Sequence, residues 1–348
     1  MSAGATVNIE RFDGAADVRA LESCFHIVQE SIKEDQPDQA NWSLSAFGAK
    51  WVEGFNGSPQ ESWFAAENTG DIAGCYLLIL PDRENVSMAT VVLRVAPGRR
   101  RTGTGTALLQ HCKDRARLAG RTRLTGEAWD GTSGVAFAKA IGASPGIPEV
   151  HRTLHLTEEI RGRLPGLRRE AAGHAAGYSL LSWVGPTPED RLEQVAAVHG
   201  AMADAPIDTG VEHAVWDADR IRRLDRLAVE HGITHHTVAA RHDGTGEVAA
   251  LTQVLTDPGA TAAFAFQQLT AVLRAHRGHR LGLLLKVAML DLLAEVAPDV
   301  DRITTDNAGS NEHMIAINAM LGFEVSGVTR NWELDLAADG ATSAPPAL

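Results

Sequence analysis

The chain has 348 residues, which exceeds one ordinary domain and fits two. Hydrophobic residues make up 44% and charged residues 22%, a globular composition that excludes a disordered or fibrous chain. The formal net charge of −12 argues against general affinity for nucleic acid or anionic membranes and favours a cationic substrate. We therefore expect a compact protein with two domains.

The N-terminal residues lack an apolar segment with basic flanks, and the sequence contains no run of 18 apolar residues. These features predict a cytoplasmic protein that has no membrane partner. Three widely separated cysteines form neither a disulfide framework nor a metal-binding pattern, so we expect them to be buried: Cys24, Cys75 and Cys112.

The first half contains alternating strand and helix patterns. A strand in VNIERF precedes a helical stretch over 16–32, which a polar segment ends. Strands over 63–66 and 72–80 are joined by ENTGD, whose asparagine and glycine suit a tight turn and predict antiparallel pairing. A β-rich run over 88–95 leads into a basic, glycine-rich loop and an amphipathic helix. A strand, a short helix and a last strand complete this half.

The second half repeats this order of elements, which indicates an internal duplication. The basic loops at Arg100 and Arg277 are 177 residues apart, the size of a domain. We predict a first domain over 1–157 and a second over 178–336. The segment 158–177 is charged and interrupted by Pro165, and we interpret it as a linker. The polar tail over 337–348 is predicted to be disordered.

The loop of the first half has the chemistry of an anion site. It runs from Leu93 through Val95 and Pro97 to Arg100, Gly103 and Gly105, where the helix begins. Glycines allow backbone N–H groups to face a ligand, the helix N-terminus adds partial positive charge, and the arginines add full charge. This combination suits a pyrophosphate.

The spacing L-x-V-x-P followed by R-x-x-G-x-G resembles the acyl-coenzyme A signature of the GNAT superfamily. The resemblance implies an α/β (α+β) protein with two GNAT-like domains, each a mixed, mostly antiparallel sheet flanked by helices. It also implies acetyl-CoA, or another acyl-CoA, as cosubstrate without a metal. The cofactor-binding residues that it implies in the first half are Leu93, Val95, Arg100, Arg101, Thr102, Gly103, Thr104, Gly105 and Thr106.

The second loop departs from this pattern at two positions, where Arg274 replaces the proline and Arg280 replaces the first glycine. An arginine at 280 could crowd the backbone or pair with phosphate. The resemblance implies that the asparagines after the next strand hold the pantetheine arm. Cofactor-binding residues in this half are then Val272, Arg277, Gly278, His279, Arg280, Leu281, Gly282, Asn307 and Asn311.

Other interpretations of these motifs are less consistent with the sequence. No Gly-Lys-Ser/Thr follows GTGTG, so a P-loop is excluded, and a dinucleotide fold lacks its third glycine and its early position in the chain. His276 and His279 lie in a loop, whereas the adjacent His235 and His236 point to opposite faces of a strand. This spacing argues against a metal site.

Glu127 and Asp306, near the ends of corresponding strands, are the candidate catalytic bases, although such residues also cap helices or turns. The tyrosine that protonates the leaving thiolate in the family is replaced by Ala138 and Asn318. The intact first loop predicts tighter coenzyme binding in the first half, where the coenzyme would serve chiefly as structure. The polar residues after the second loop predict catalysis in the second half.

These patterns predict an acetyl-CoA-dependent N-acetyltransferase that acts on a small-molecule amine by direct transfer. The alternative is a non-catalytic protein that binds or senses acyl-CoA, which the missing tyrosines favour. The sequence specifies neither the acceptor amine nor the oligomeric state.

Overall fold

The computed structural model describes residues 7–12, 17–36, 39, 42–54, 58–260 and 263–337. Their strands are β1 (Asn8–Arg11), β2 (Gln60–Ala66), β3 (Ile72–Ile79), β4 (Met88–Val95), β5 (Arg123–Trp129), β6 (Ser144–His155), β7 (Tyr178–Val184), β8 (Thr234–His242), β9 (Val248–Thr256), β10 (Phe264–Val272), β11 (Arg302–Ala308) and β12 (Glu324–Asp335). The α-helices are α1 (Val18–Asp35), α2 (Leu44–Gly48), α3 (Thr104–Leu118), α4 (Ser133–Ala140), α5 (Glu158–Ala172), α6 (Leu192–Gly200), α7 (Ala218–Glu230), α8 (Leu281–Val296) and α9 (Glu312–Leu321).

All the strands form one continuous 12-stranded sheet in the order β1-β2-β3-β4-β5-β12-β6-β11-β10-β9-β8-β7. Only β4–β5 and β10–β11 pair in parallel among the described strands. The last strand of each half lies beside the other half, because β12 pairs with β5 and β6 pairs with β11. The two closing strands also pair with each other at the centre of the sheet.

Helices cover this sheet, and each half has its own apolar clusters. The helix after the first loop, α3, buries Leu108 and Leu109 over β3–β5. Its counterpart α8 has 16 residues, of which ten are buried. The mixed, mostly antiparallel sheet flanked by helices confirms the predicted fold class, and the β2–β3 hairpin and the buried cysteines are confirmed too. The predicted domain limits describe the two repeats of the sequence. They do not separate two sheets in space, because each half contributes its closing strand to the other half.

The segment predicted to be a linker forms helix α5, which packs on α8. Leu164 and Ala171 are buried in the cluster that includes Leu285, and Arg168 forms an ion pair with Asp291 of α8. The helix continues through Pro165, contrary to the expected interruption, because this packing compensates for the backbone hydrogen bond that proline cannot donate. The first helix also differs slightly, since α1 extends to Asp35. The predicted disordered tail lies outside the described residues except for Ala337.

Gly327→Ala tests the exchange of strands at the centre of the sheet. A Cβ atom at Gly327 of β12 would overlap the indole ring of Trp129 on β5. Overpacking at this contact should lower the free energy of unfolding by about 1–3 kcal/mol in a denaturant titration. Gly162→Ala is the control, since a Cβ there meets nothing within 4 Å and should slightly stabilise helix α5. Equal stabilities of the two variants would contradict the β5–β12 pairing.

Candidate active site

The two basic loops have the same backbone shape despite their different sequences. Each contains two residues in the left-handed region: Arg101 (φ 65°) and Gly103 (φ 95°) in the first loop, Gly278 (φ 87°) and Arg280 (φ 51°) in the second. One position of each pair is therefore an arginine. The replacement of a glycine by Arg280 leaves the turn intact, and its side chain pairs with Glu170 of α5.

In the first loop, the arginine expected to bind phosphate is already paired. The Arg100 guanidinium donates to Glu34 at 2.9 Å and to both oxygens of Asp35, at 3.1 and 2.8 Å, at the end of α1. Thr102 Oγ1 donates to the Arg99 carbonyl, and Thr104 is buried. Leu93 and Val95 pack with Phe137 against the first-half core. Arg101 and Thr106 are exposed, and a Cβ at Gly105 would make only ordinary contacts.

The second loop borders a cavity of about 710 Å³, which we call the second-half cavity. Arg277 pairs with Asp204 at 2.5 Å and is 44% exposed, so it is more accessible than Arg100, which is 19% exposed. Nearly all the predicted residues of this half line the cavity: Val272, Arg277, Gly278, Arg280, Leu281, Gly282, Asp306, Asn307 and Asn311. His279 does not; it lies 5.2 Å from the Tyr178 ring, between ring centroids.

The cavity opens where two parallel strands diverge. Strands β10 and β11 pair only from Phe264 to Phe266, and their later residues separate. The β9–β10 register shifts between Gln267 and Leu269, so Gln268 is an extra, bulged residue in β10. The first-half strands β4 and β5 also separate, after Val91, but β3 and β4 remain in continuous register. A bulge therefore distinguishes the second site, upstream of the expected position at Val272.

Asp306, one of the two predicted bases, lies on β11 at the wall of the second-half cavity and is one-third exposed. Burial raises the pKa of its carboxyl group to about 7, and the negative charges of Glu149 and Glu127 contribute. A histidine approaches this carboxyl group: His151 on β6, whose Nδ1 lies 3.5 Å from Oδ1. Burial lowers the pKa of His151 to about 4, so this imidazole is neutral at pH 7. It therefore carries no positive charge that would lower the pKa of the Asp306 carboxyl group.

The second predicted base, Glu127, lies on β5 and does not line this cavity. Burial raises its pKa, while the charges of Arg94 and Lys50 oppose the increase. Its charge nevertheless acts on Glu149 and Asp306, so the two candidate bases are electrostatically coupled across the exchanged strands. Glu149 and His151 were not identified from the sequence, because only the pairing of β6 with β11 of the other half brings them to this site.

The asparagines after β11 have partners within the protein. Asn311 Oδ1 accepts from the Met314 N–H and caps helix α9, and Asn307 Oδ1 accepts from Asn318 Nδ2 at 2.8 Å. Asn318, at the position of the family's tyrosine, is fully buried, and its Oδ1 has no hydrogen-bond partner among the described residues. An amide cannot supply a proton at neutral pH. The leaving thiolate has no acid at this position.

Neither a metal cluster nor a membrane span is found within the described ranges. No group of three or more histidine, cysteine, aspartate or glutamate side chains there could hold a metal ion. No helix of those residues has the length and apolar content to cross a bilayer.

Comparisons with known proteins agree with this geometry. Residues 19–142 match the family model described as the acetyltransferase (GNAT) family. A tandem GNAT protein from the clavulanic acid biosynthesis pathway is 28% identical with a TM-score of 0.79, covering 95% of this chain and 99% of its own. No curated protein sequence matches significantly.

More distant structures share the fold. A GCN5-related N-acetyltransferase from Sphaerobacter thermophilus is 14% identical with a TM-score of 0.66, covering 95% of this chain and 96% of its own. A glucosamine N-acetyltransferase region of a fungal multi-domain enzyme is 13% identical with a TM-score of 0.62, covering 96% of this chain and 38% of its own. The duplicated sequence, the two loops, the family-model match over residues 19–142 and the 28% identical tandem GNAT protein together identify the chain as an N-acetyltransferase, a tandem-domain member of the GNAT superfamily.

Proposed function

We propose that this protein transfers an acyl group from acetyl-CoA, or another acyl-CoA, directly to a small-molecule amine, and that the second half contains the active site. The observation that carries the proposal is the second-half cavity, which extends from the basic loop to Asp306 between the separated strands β10 and β11. One cavity thus joins groups suited to a pyrophosphate with a carboxylate suited to a reacting amine. Coenzyme binding by the first half stays a prediction.

The loop residues explain how the donor would be held. Backbone N–H groups at the start of α8 and the guanidinium groups of Arg277 and Arg280 face the loop end of the cavity and suit the pyrophosphate. The pantetheine arm would then lie along the part of β10 that follows its last pair with β11. There the bulge at Gln268 would direct a backbone N–H group toward the thioester oxygen.

Asp306 would act as the general base. The ammonium group of the acceptor must lose a proton before its nitrogen can attack the thioester carbon. A carboxylate with a pKa of about 7 is matched to that transfer near neutral pH. Attack forms the amide C–N bond as the C–S bond breaks, and the second proton of the amine passes to the departing thiolate or to water, because Asn318 is not an acid. Thiols are far more acidic than amines, with a pKa of about 8.5 for the cysteine side chain, so a thiolate can leave without being protonated first.

The charges around Asp306 favour a cationic acceptor. Glu149 and Glu127 lie close enough to raise its pKa, and Asp208 similarly raises that of Glu149. Together with the net charge of −12, these carboxylates would attract a protonated amine.

The proposed function predicts turnover of acetyl-CoA by the full chain with a panel of amino sugars, polyamines, amino acids and amine-bearing antibiotics. Release of free CoA thiol should accompany an acetyl adduct on one class of these amines, both measured by mass spectrometry. Acetylated peptide N-termini without any small-molecule product would contradict the proposed acceptor class. Binding of acetyl-CoA without turnover of any amine would instead favour an acyl-CoA sensor.

A further inference from the structure

A buried lysine lies at the inner end of the second-half cavity. Lys286 on α8 is 3% exposed, yet it lines the cavity together with Leu283, Ile317 and Met320. Its Nζ atom lies 3.3 Å from Gln267 Oε1 and 5.1 Å from the centroid of the Phe323 ring. Gln267 is the residue that follows the last β10–β11 pair, so this amino group marks the closed end of the space between the strands.

Among the residues that the structure describes, Gln267 supplies the only hydrogen-bond acceptor for the Lys286 amino group. The Gln267 amide nitrogen donates to Thr252 Oγ1, the Gln253 carbonyl and the Leu269 carbonyl, which fixes its Oε1 toward the lysine. Burial alone lowers the pKa of Lys286 to about 7, and no neighbouring charge within the described residues contributes. An ammonium group buried without a carboxylate is costly, and a bound anion would remove that cost.

Position along the cavity identifies which part of a donor would reach this lysine. The pyrophosphate would lie at the loop end, beside Val272 and Arg277, and Gln267 is five residues upstream on β10, about 16 Å along the strand. The distal end of an acyl-CoA would therefore meet Lys286. Apolar walls suit the methylene groups of an acyl chain, and a cation at the end suits a terminal carboxylate.

We propose that the second-half cavity prefers an acyl-CoA whose acyl chain ends in a carboxylate, a dicarboxylic acyl donor, and that Lys286 determines this preference by pairing with the carboxylate. The inference rests on the proposed function, because it names the donor of the same site. Gln267 then acts as a positioning residue that directs the amino group along the cavity.

The experiment compares succinyl-CoA with butyryl-CoA, which has the same chain length without the carboxylate. Isothermal titration of the full chain should show succinyl-CoA binding about tenfold or more tightly, as expected for a charged hydrogen bond in a buried site. Lys286→Met nearly retains the length of the side chain. It should remove the preference for succinyl-CoA without lowering the affinity for butyryl-CoA. Lys139→Met, at an exposed lysine of the first half, is the control and should retain it.

The outcomes separate this inference from the proposed function. Equal affinities of the two esters for the wild-type chain would overturn the role of Lys286 even if Lys286→Met failed to fold. A preference that survives in folded Lys286→Met would overturn it too. If butyryl-CoA and free CoA bind but succinyl-CoA has no advantage, only this inference fails. If no CoA species binds, the proposed function fails with it.

Discussion

Replacing Asp306 with Asn should lower the rate of acetyl transfer by about 10²- to 10⁴-fold, the usual contribution of a general base. The amide has nearly the shape of the carboxylate but cannot accept the proton of the amine. Because Asp306 is one-third exposed at the wall of the second-half cavity, the substitution should leave the fold unchanged. Steady-state rates with the acceptor found in the amine panel test this expectation. The affinity for acetyl-CoA is measured beside them and should not change.

The pH profile provides a second readout of the same substitution. The pKa of Asp306 is raised to about 7, so its carboxyl group is protonated, and inactive as a base, below that pH. For the wild-type enzyme, kcat/KM should therefore rise with pH through about 7 and then level off. Asp306→Asn should lack this rising limb. Glu127→Gln is the comparison variant and should keep this rising limb, shifted slightly to lower pH, because the charge of Glu127 helps to raise the pKa of Asp306. A large loss of rate in Glu127→Gln with none in Asp306→Asn would move the base to the first half.

The fold was largely predictable because local signals agree with it. Glycine-rich turns, alternating strands and an amphipathic helix after each loop depend on neighbouring residues, and ENTGD alone specifies the β2–β3 hairpin. The exchange of closing strands was not predictable, since β6 and β12 have the same strand pattern whichever partner they choose. Long-range pairing is decided by packing such as that of Trp129 against Gly327, which sequence periodicity does not encode.

The candidate site was predicted in part for the same reason. Loop residues near Arg277 and three residues after β10, Asp306, Asn307 and Asn311, follow from motif spacing, and they line one cavity. Glu149 and His151 belong to the other half of the sequence and reach the site only through the strand exchange. Lys286 had a detectable signal, a lysine within the apolar run LLLKVAMLDLL, but periodicity alone could not place its amino group in a cavity.

Placing a carboxylate in each loop should distinguish the roles of the two halves. Arg277→Glu should weaken acetyl-CoA binding at the active site by about 100-fold, because a charged hydrogen bond is lost and the new carboxylate repels the pyrophosphate. Gly105→Glu should be tolerated by the fold, since a Cβ at Gly105 meets Val95 only at 3.5 Å. It should remove any coenzyme from the first loop while the rate per folded molecule survives.

Both variants are measured in the full chain, because an isolated half would lose the strand that the other half contributes to its sheet. Native mass spectrometry counts the bound coenzyme molecules. Steady-state rates and melting temperatures are then measured on the same samples. A coenzyme bound to the first loop would stabilise the folded chain and raise its melting temperature. If that is its only role, Gly105→Glu should abolish this rise on addition of acetyl-CoA. A chain that loses activity with Gly105→Glu and keeps it with Arg277→Glu would place the active site in the first half.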